Sequence, residues 1–331
     1  PIEKYTELTS TLTADYKETA IVVFSRVGKE GGDMWMQEED SVSHKTVSSL
    51  ALHQSEKDLL EFIKAQGFGK VIVLLNAPNQ METYEIAPLC DSILYIGTPG
   101  HQGFVGVAEI LSGKVNPSGH IVDTYAKNSL SAPATVNSGT ETPTFSNLDY
   151  IHDKINGNGD QRADYISTQV EGIYIGYKYY ETRYADSVIG GRGADSTKGS
   201  RDNTAWKYGN EVDYTFGHGL SYTTFEQKLG SVTYDAGKDL YTIKVSVKNT
   251  GSVAGKSVVQ LYAQTPYGAY EINNKVEKSA VQLVGFAKTK LLKGGDSEEV
   301  TITVDRYLLA SYDYIQAKGW ILSEGDYYFA I

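Results

Sequence analysis

At 331 residues, with 21% charged and 40% hydrophobic residues, the chain has a folded globular composition and room for two domains, each burying its own core. Its net charge of -11, without a cluster of Lys and Arg, argues against nucleic acid as a partner, because phosphate binding needs a basic patch. No apolar run exceeds Val71 to Leu75, far short of a bilayer span, and no charged-then-apolar leader precedes it; a lone Cys90 excludes an intrachain disulfide or a cysteine-based zinc site and favours cytoplasm slightly over secretion.

Thr19 to Phe24 reads as a buried strand that runs into Ser25-Arg26-Val27-Gly28-Lys29-Glu30-Gly31-Gly32-Asp33. Open parallel sheets place ligands at the carboxyl ends of strands, so position alone makes Glu30 the candidate catalytic residue, against the plainer reading of a solvated loop acid. Asp33 lies too close in sequence to assume an opposed carboxylate pair and reads as a positioning residue. Trp35 is placed either to stack on a sugar face or to pack in the ordinary way. Gly28, Gly31 and Gly32 lack the P-loop spacing, which leaves a nucleotide site little support.

A helix follows His53-Gln54, with Ser55 as its expected cap, Leu59, Leu60 and Ile63 on one face, and Gly67 at its end. Val71 to Leu75 is a strand without polar alternation, and Ser92 to Ile96 is the next. The Gly97-Thr98-Pro99-Gly100 turn then leads to a helix through Val105, Ala108 and Leu111. This alternation predicts parallel strands joined by crossover helices. Asn116-Pro117-Ser118-Gly119 turns into Ile121-Val122, residues 126–169 read as loop, and residues 190–209 as a surface insertion.

Beyond Phe225 the pattern becomes antiparallel: Tyr241 to Val247, Val258 to Tyr262, Val281 to Phe286, Glu299 to Val304 and Asp326 to Ile331, with Gly-rich turns between, predict a β-sandwich. His101 and His218 sit beside glycines as turn residues, and the six scattered histidines show no metal-ligand spacing. Neither metal nor cofactor is expected. The 25 tyrosines are compatible with sugar binding and equally with strand packing.

Taken together, these segments resemble the rear half of a family-three glycoside hydrolase of the β-glucosidase type. The loop from Ser25 to Asp33 is similar to the family's Ser-Arg-x-x-Gly-Glu-Gly-x-Asp, and the resemblance assigns Glu30 as general acid/base. Pro99-Gly100-His101-Gln102-Gly103 and Asn116-Pro117-Ser118-Gly119 look like the family's structural turns. Glu171 to Glu181 and Phe216-Gly217-His218-Gly219-Leu220-Ser221-Tyr222-Thr223-Thr224-Phe225 resemble segments leading into its fibronectin type III-like domain. Val247 to Gly251 and Leu283 to Lys288 continue that likeness. Lys29 stands where a Gly is frequent, and Met34 where an Arg is, which puts that Arg's sugar contacts in doubt.

The resemblance implies a partial α/β-sandwich domain with long linking loops over residues 1–222, followed by a fibronectin type III-like β-sandwich over 223–331. No Ser-Asp-Trp nucleophile segment occurs in the chain. The family's aspartate nucleophile lies on a TIM-barrel domain, so a barrel domain or chain is the implied partner and the chain alone is expected to be inactive. The implied activity is release of terminal non-reducing β-D-glucosyl residues with retention, from a β-glucoside or cello-oligosaccharide. A β-xylosidase within the enzyme class, and a non-catalytic scaffold or carbohydrate-binding module outside it, stand as alternatives, and a homo-oligomer is compatible with the sequence.

Overall fold

The computed structural model describes residues 13–28, 34–136 and 169–331, together with Thr6 and Tyr150. Two compact units divide the chain, one drawn from residues 1–104, 125–172 and 195–214, the other from 105–124, 173–194 and 215–331.

In the first unit, β1 (Thr19–Ser25), β4 (Lys70–Asn76) and β5 (Ser92–Tyr95) form a parallel sheet of order β1-β4-β5. Hairpin strands β2 (Gln37–Glu39) and β3 (Thr46–Ser48) and helix α1 (Gln54–Ala65) make the crossover between β1 and β4. Central β4 buries Val71, Val73, Leu74 and Leu75, as its unbroken apolar run predicts. Strand β1 departs from the expected buried strand: Val22 and Phe24 are buried, but Ile21 and Val23 are each 52% exposed. It lies at the edge of the sheet, with only its alternate residues turned toward the core that Leu52, Leu60, Met81 and Ile86 complete.

Helix α1 also corrects its expected cap. His53, not Ser55, is the N-cap, and the Glu56 carboxylate accepts the His53 backbone N–H at 2.9 Å, the reciprocal half of a capping box. The left-handed residue is Gly67, at φ 74°, as expected of the glycine that ends a helix. Residues 126–169 were expected to be loop, yet β6 (Tyr125–Ala126) pairs with β7 (Val212–Tyr214), and a short helical turn follows at Pro133–Val136. The expected surface insertion at 190–209 is not wholly superficial either, because Trp206 is buried and its backbone N–H donates to the Asp195 carbonyl.

Helix α2 (Gly100–Leu111) bears out the helix placed on Val105, Ala108 and Leu111. No strand forms at Ile121-Val122, although Ile121 exchanges backbone hydrogen bonds with His218 and Gly217 in the second unit. Helix α3 (Tyr177–Ile189) falls in a segment without a recognisable sequence pattern, because its mixed Tyr, Lys, Asp and Glu residues leave only Tyr180 buried.

The remainder of the second unit is an antiparallel sandwich. One sheet holds β8 (Phe225–Asp235), β9 (Leu240–Asn249) and β12 (Ser297–Asp305). The other holds β10 (Val258–Gln264), β11 (Gln282–Lys288) and β15 (Tyr328–Ala330), and a separate hairpin pairs β13 (Ser311–Asp313) with β14 (Gly319–Ile321). Ile243, Val245 and Val247 from one sheet and Val259, Leu261 and Ala263 from the other alternate inward to form its core. Helix α4 (Ala269–Asn274) lies between β10 and β11 in the chain.

Two asparagines, half-buried Asn116 and buried Asn249, show why the turn motifs of this unit have the residues they have. The Asn116 side chain accepts from the Ser221 hydroxyl and the Tyr222 N–H and donates to the Ala254 carbonyl, tying three segments together. Asn249 accepts from Thr223 Oγ1 and the Gly251 N–H and donates to the carbonyls of Val253 and Leu292. A buried amide left half-satisfied would cost more than an apolar substitute, and neither residue is left so.

Candidate active site

Glu30 and Asp33, together with Lys29, Gly31 and Gly32, lie outside the described residues. Both stems of that loop are described, and they are fixed at the carboxyl end of β1. Arg26 sets the first stem. Its guanidinium donates to both Glu56 oxygens at 2.7 Å, to the carbonyls of Ser49 and Ser25 at 2.8 Å and to that of Ala51 at 2.6 Å. Such a fork-to-fork pair specifies orientation as well as charge, and Lys could not reproduce it.

The second stem returns through Met34, Trp35 and Met36. Ser49 joins the two, since its carbonyl takes the Arg26 Nε and its own N–H donates to the Met36 carbonyl at 3.3 Å. Asn79, in the loop after β4, donates to Met34 Sδ, and a Cβ built on Gly28 would stand 3.0 Å from the same Asn79 amide. Loops from two neighbouring parallel strands therefore meet here, at the sheet edge where α/β folds place ligands. Trp35, 47% exposed, offers an aromatic face between two anchored methionines.

The crossover behind the second stem is pinned by Asp40. Its carboxylate accepts the backbone N–H groups of Ser43, Gln54 and Val42, and these hold its pKa well below the usual carboxylate range. One oxygen thus binds the hairpin turn while the other meets the first turn of α1.

Sequence reasoning assigned no role to Arg26, Ser49, Asn79 or the residues that hold the loop after β4. Glu82 in that loop is half-buried, and desolvation raises its pKa against hydrogen bonds from the Ser129 N–H and hydroxyl at 2.7 and 2.8 Å. Ser129 in turn bonds Ser48 of β3 at 2.6 Å. Tyr84 stands with Lys127 Nζ and the Arg201 guanidinium each 4.7 Å from its ring centre, a doubled cation–π contact. The Arg201 N–H is bound by both oxygens of the buried Glu211. Only the Ser-Arg dipeptide beside Glu30 could have flagged any of these, and it does so through the motif, not through composition.

His101 lies in the first turn of α2, and His218 accepts from the Ile121 N–H through its backbone carbonyl. Among the described residues no group of three or more His, Cys, Asp or Glu is placed to hold a metal ion.

Residues 6–222 match the glycosyl hydrolase family 3 C-terminal domain, and residues 257–331 match a fibronectin type III-like domain. The chain belongs to glycosyl hydrolase family 3. Among curated proteins of the family, it is 31% identical to beta-glucosidase A of Butyrivibrio fibrisolvens and 31% identical to a beta-glucosidase of Ruminococcus albus, each alignment covering 96% of the chain. It spans 36% and 27% of their respective lengths. The solved structure of beta-glucosidase 3B from Thermotoga neapolitana in complex with alpha-D-glucose superposes with a TM-score of 0.70 at 28% identity, over 97% of this chain and 36% of that one. A beta-glucosidase from Paenibacillus barengoltzii gives 0.67 at 29% identity, over 98% of this chain and 29% of that one. The family-3 chain thus joins an α/β unit with a parallel sheet to an antiparallel fibronectin-like sandwich, the fold class its sequence implied.

Proposed function

We propose that this family-3 chain supplies the general acid/base of a retaining, exo-acting β-glucosidase whose aspartate nucleophile lies on a TIM-barrel domain outside residues 1–331. The observation that carries the reading is the Arg26 clamp, which fixes the stem of the Glu30 loop at the carboxyl edge of a parallel sheet. Family membership and beta-glucosidase relatives over nearly the whole chain support it.

In this mechanism Glu30 protonates the departing glycosidic oxygen while the aspartate attacks the anomeric carbon, with the two carboxyl groups about 5–5.5 Å apart. The Glu30 carboxylate then takes a proton from the water that releases the sugar. Asp33 positions the loop or substrate, and Trp35 stacks on a sugar ring. The substrate is a terminal non-reducing β-D-glucosyl residue, on a simple glucoside or a cello-oligosaccharide.

In the full-length protein, Glu30→Gln should abolish most turnover of glucosides with poor leaving groups and be partly rescued by azide, which needs no base to attack the glycosyl intermediate. Undiminished turnover of an unactivated glucoside by this variant would refute the assignment, and preferred turnover of xylosides would redirect the substrate. The purified 331-residue chain should hydrolyse nothing, since it holds one carboxylate of the pair.

A further inference from the structure

The hairpin of β13 and β14 in the sandwich unit carries an aromatic cluster that neither the core nor the proposed active site uses. Trp320 and Tyr312 are cross-strand partners with ring centres 5.5 Å apart, and Tyr307 lies 5.3 Å from Trp320 on the opposite flank. The interplanar angles are 71° and 61°, edge-to-face geometry that holds each ring by its neighbour. All three remain open to solvent, at 58% for Trp320, 55% for Tyr307 and 49% for Tyr312.

The cluster is ordered from beneath. Asp313 is fully buried and accepts the N–H groups of Ile315, Gln316 and Ala317 and the Tyr270 hydroxyl, which fixes the turn between the two strands. On the other flank, Asp305 caps the helical turn Arg306–Leu309 by accepting the Tyr307 N–H. A ligand would therefore meet rings already held in place, with little ordering left to oppose binding.

Charge narrows the class of ligand. Over residues 223–331 twelve Lys and Arg balance twelve Asp and Glu, so the whole net charge of -11 belongs to residues 1–222. The Arg306 and Asp239 side chains beside the cluster neutralise one another at 2.7 Å. Around the rings charges of both signs are mixed, with Lys318 in the turn, Asp313 buried beneath, Asp305 at the helical cap and the Arg306–Asp239 pair, so no single sign dominates; exposed rings edged by phenol hydroxyls and an indole N–H suit a ligand that is itself neutral and presents C–H faces edged with hydroxyl groups. Polysaccharides of β-linked glucose have this form, because every ring substituent is equatorial and both faces of the sugar present axial C–H bonds.

We propose that Trp320, Tyr307 and Tyr312 form a binding platform for neutral β-glucan chains. The choice of glucose units rests on the proposed activity; the platform itself does not, and binding is measured without turnover. In native gels containing soluble mixed-linkage β-1,3-1,4-glucan the 331-residue chain should be retarded, and in gels containing glycogen it should run unchanged. Trp320→Ala should weaken the retardation about tenfold, the scale on which an aromatic anchor is lost. Tyr307→Ala, which removes a ring from outside the hairpin, should weaken it as well, with circular dichroism confirming that each variant is folded. Retardation reads binding and not turnover, so failure of the acid/base assignment leaves the platform standing, and the reverse. Absence of retardation, retardation unchanged in both ring variants, or a concentration-dependent dimer that Trp320→Ala dissolves without any glucan binding would each overturn the proposal.

Discussion

Removing Arg26 should unfasten the stem of the Glu30 loop at a measurable energetic cost. Arg26→Ala deletes five hydrogen bonds and leaves Glu56 with only the His53 N–H among its former donors, in a pair whose side chains are 8% and 21% exposed. Breaking a buried pair by removing one partner costs about 3–5 kcal/mol, because the remaining charge keeps its desolvation penalty. Arg26→Lys retains the charge but loses the planar fork, and should cost about 1–3 kcal/mol. Trp206, buried in the same unit, gives a fluorescence signal that reports its unfolding, while Trp35 and Trp320 are exposed in the native state. With a urea slope of about 2–3 kcal/mol per M, the midpoint of that transition should fall by about 1–2 M in Arg26→Ala. A Glu56→Ala background should shrink the effect of Arg26→Ala, as a double-mutant cycle requires of coupled residues. A loss below about 1 kcal/mol, or full additivity with Glu56→Ala, would refute the claim that this pair anchors the stem.

Glu82 gives a pH dependence. Its pKa is raised by burial above the usual carboxylate range, so the folded state binds its proton more tightly than the unfolded chain does. The resulting stability is complete below pH 4.5 and is lost as pH rises through the folded pKa; urea midpoints of Glu82→Gln measured across that range should decline less than those of the parent. In the sandwich, Glu271 and Lys278 form a buried pair at 2.9 Å. Burial raises the Glu271 pKa, but hydrogen bonds from Ser323, Lys278 and the Gly268 N–H outweigh it and bring it to about 2. Lys278→Met should therefore destabilise this unit by about 3–5 kcal/mol in chemical denaturation, and Lys278→Met with Glu271→Leu should recover most of that. Gly285→Ala would place a Cβ 2.6 Å from Ile302 Cγ2 across the sandwich, an overpacking worth about 1–3 kcal/mol by the same measurement.

How much of this was legible in the sequence depended on whether the determining force was periodic. Strands β4, β9 and β10 follow from apolar runs and alternation, because burial on one or two faces leaves that trace directly. Edge strand β1 misled, since Ile21 and Val23 look like core residues and nothing local records that a sheet ends there. Helix α3 escaped notice because tyrosines packed by contacts distant in sequence, such as Tyr177 against Phe216 and Tyr262, blur the amphipathic pattern. The His53 cap was hidden by a nearby Ser that has the higher prior for the role. At the candidate site the motif drew attention to residues 25–33, but the bonds that hold the described ends of that segment follow no local pattern. Arg26, Ser49 and Asn79 act across gaps of 23 to 45 residues, which no local pattern encodes.

The tie through Ser49 also limits how far the acid can reach. Consecutive Cα atoms are about 3.8 Å apart, so two links from Gly28 keep the Glu30 Cα within about 7.6 Å of the Gly28 Cα, whatever path the backbone takes. With Gly28 beside Asn79 and the returning stem bound at Met34, both described ends of the span 29–33 are tied at the carboxyl end of β1. On the assignment proposed for Glu30, the nucleophile has to be brought to that end of the strand. On that assignment, inserting residues into the span 29–33 would lengthen the tether and lower the rate.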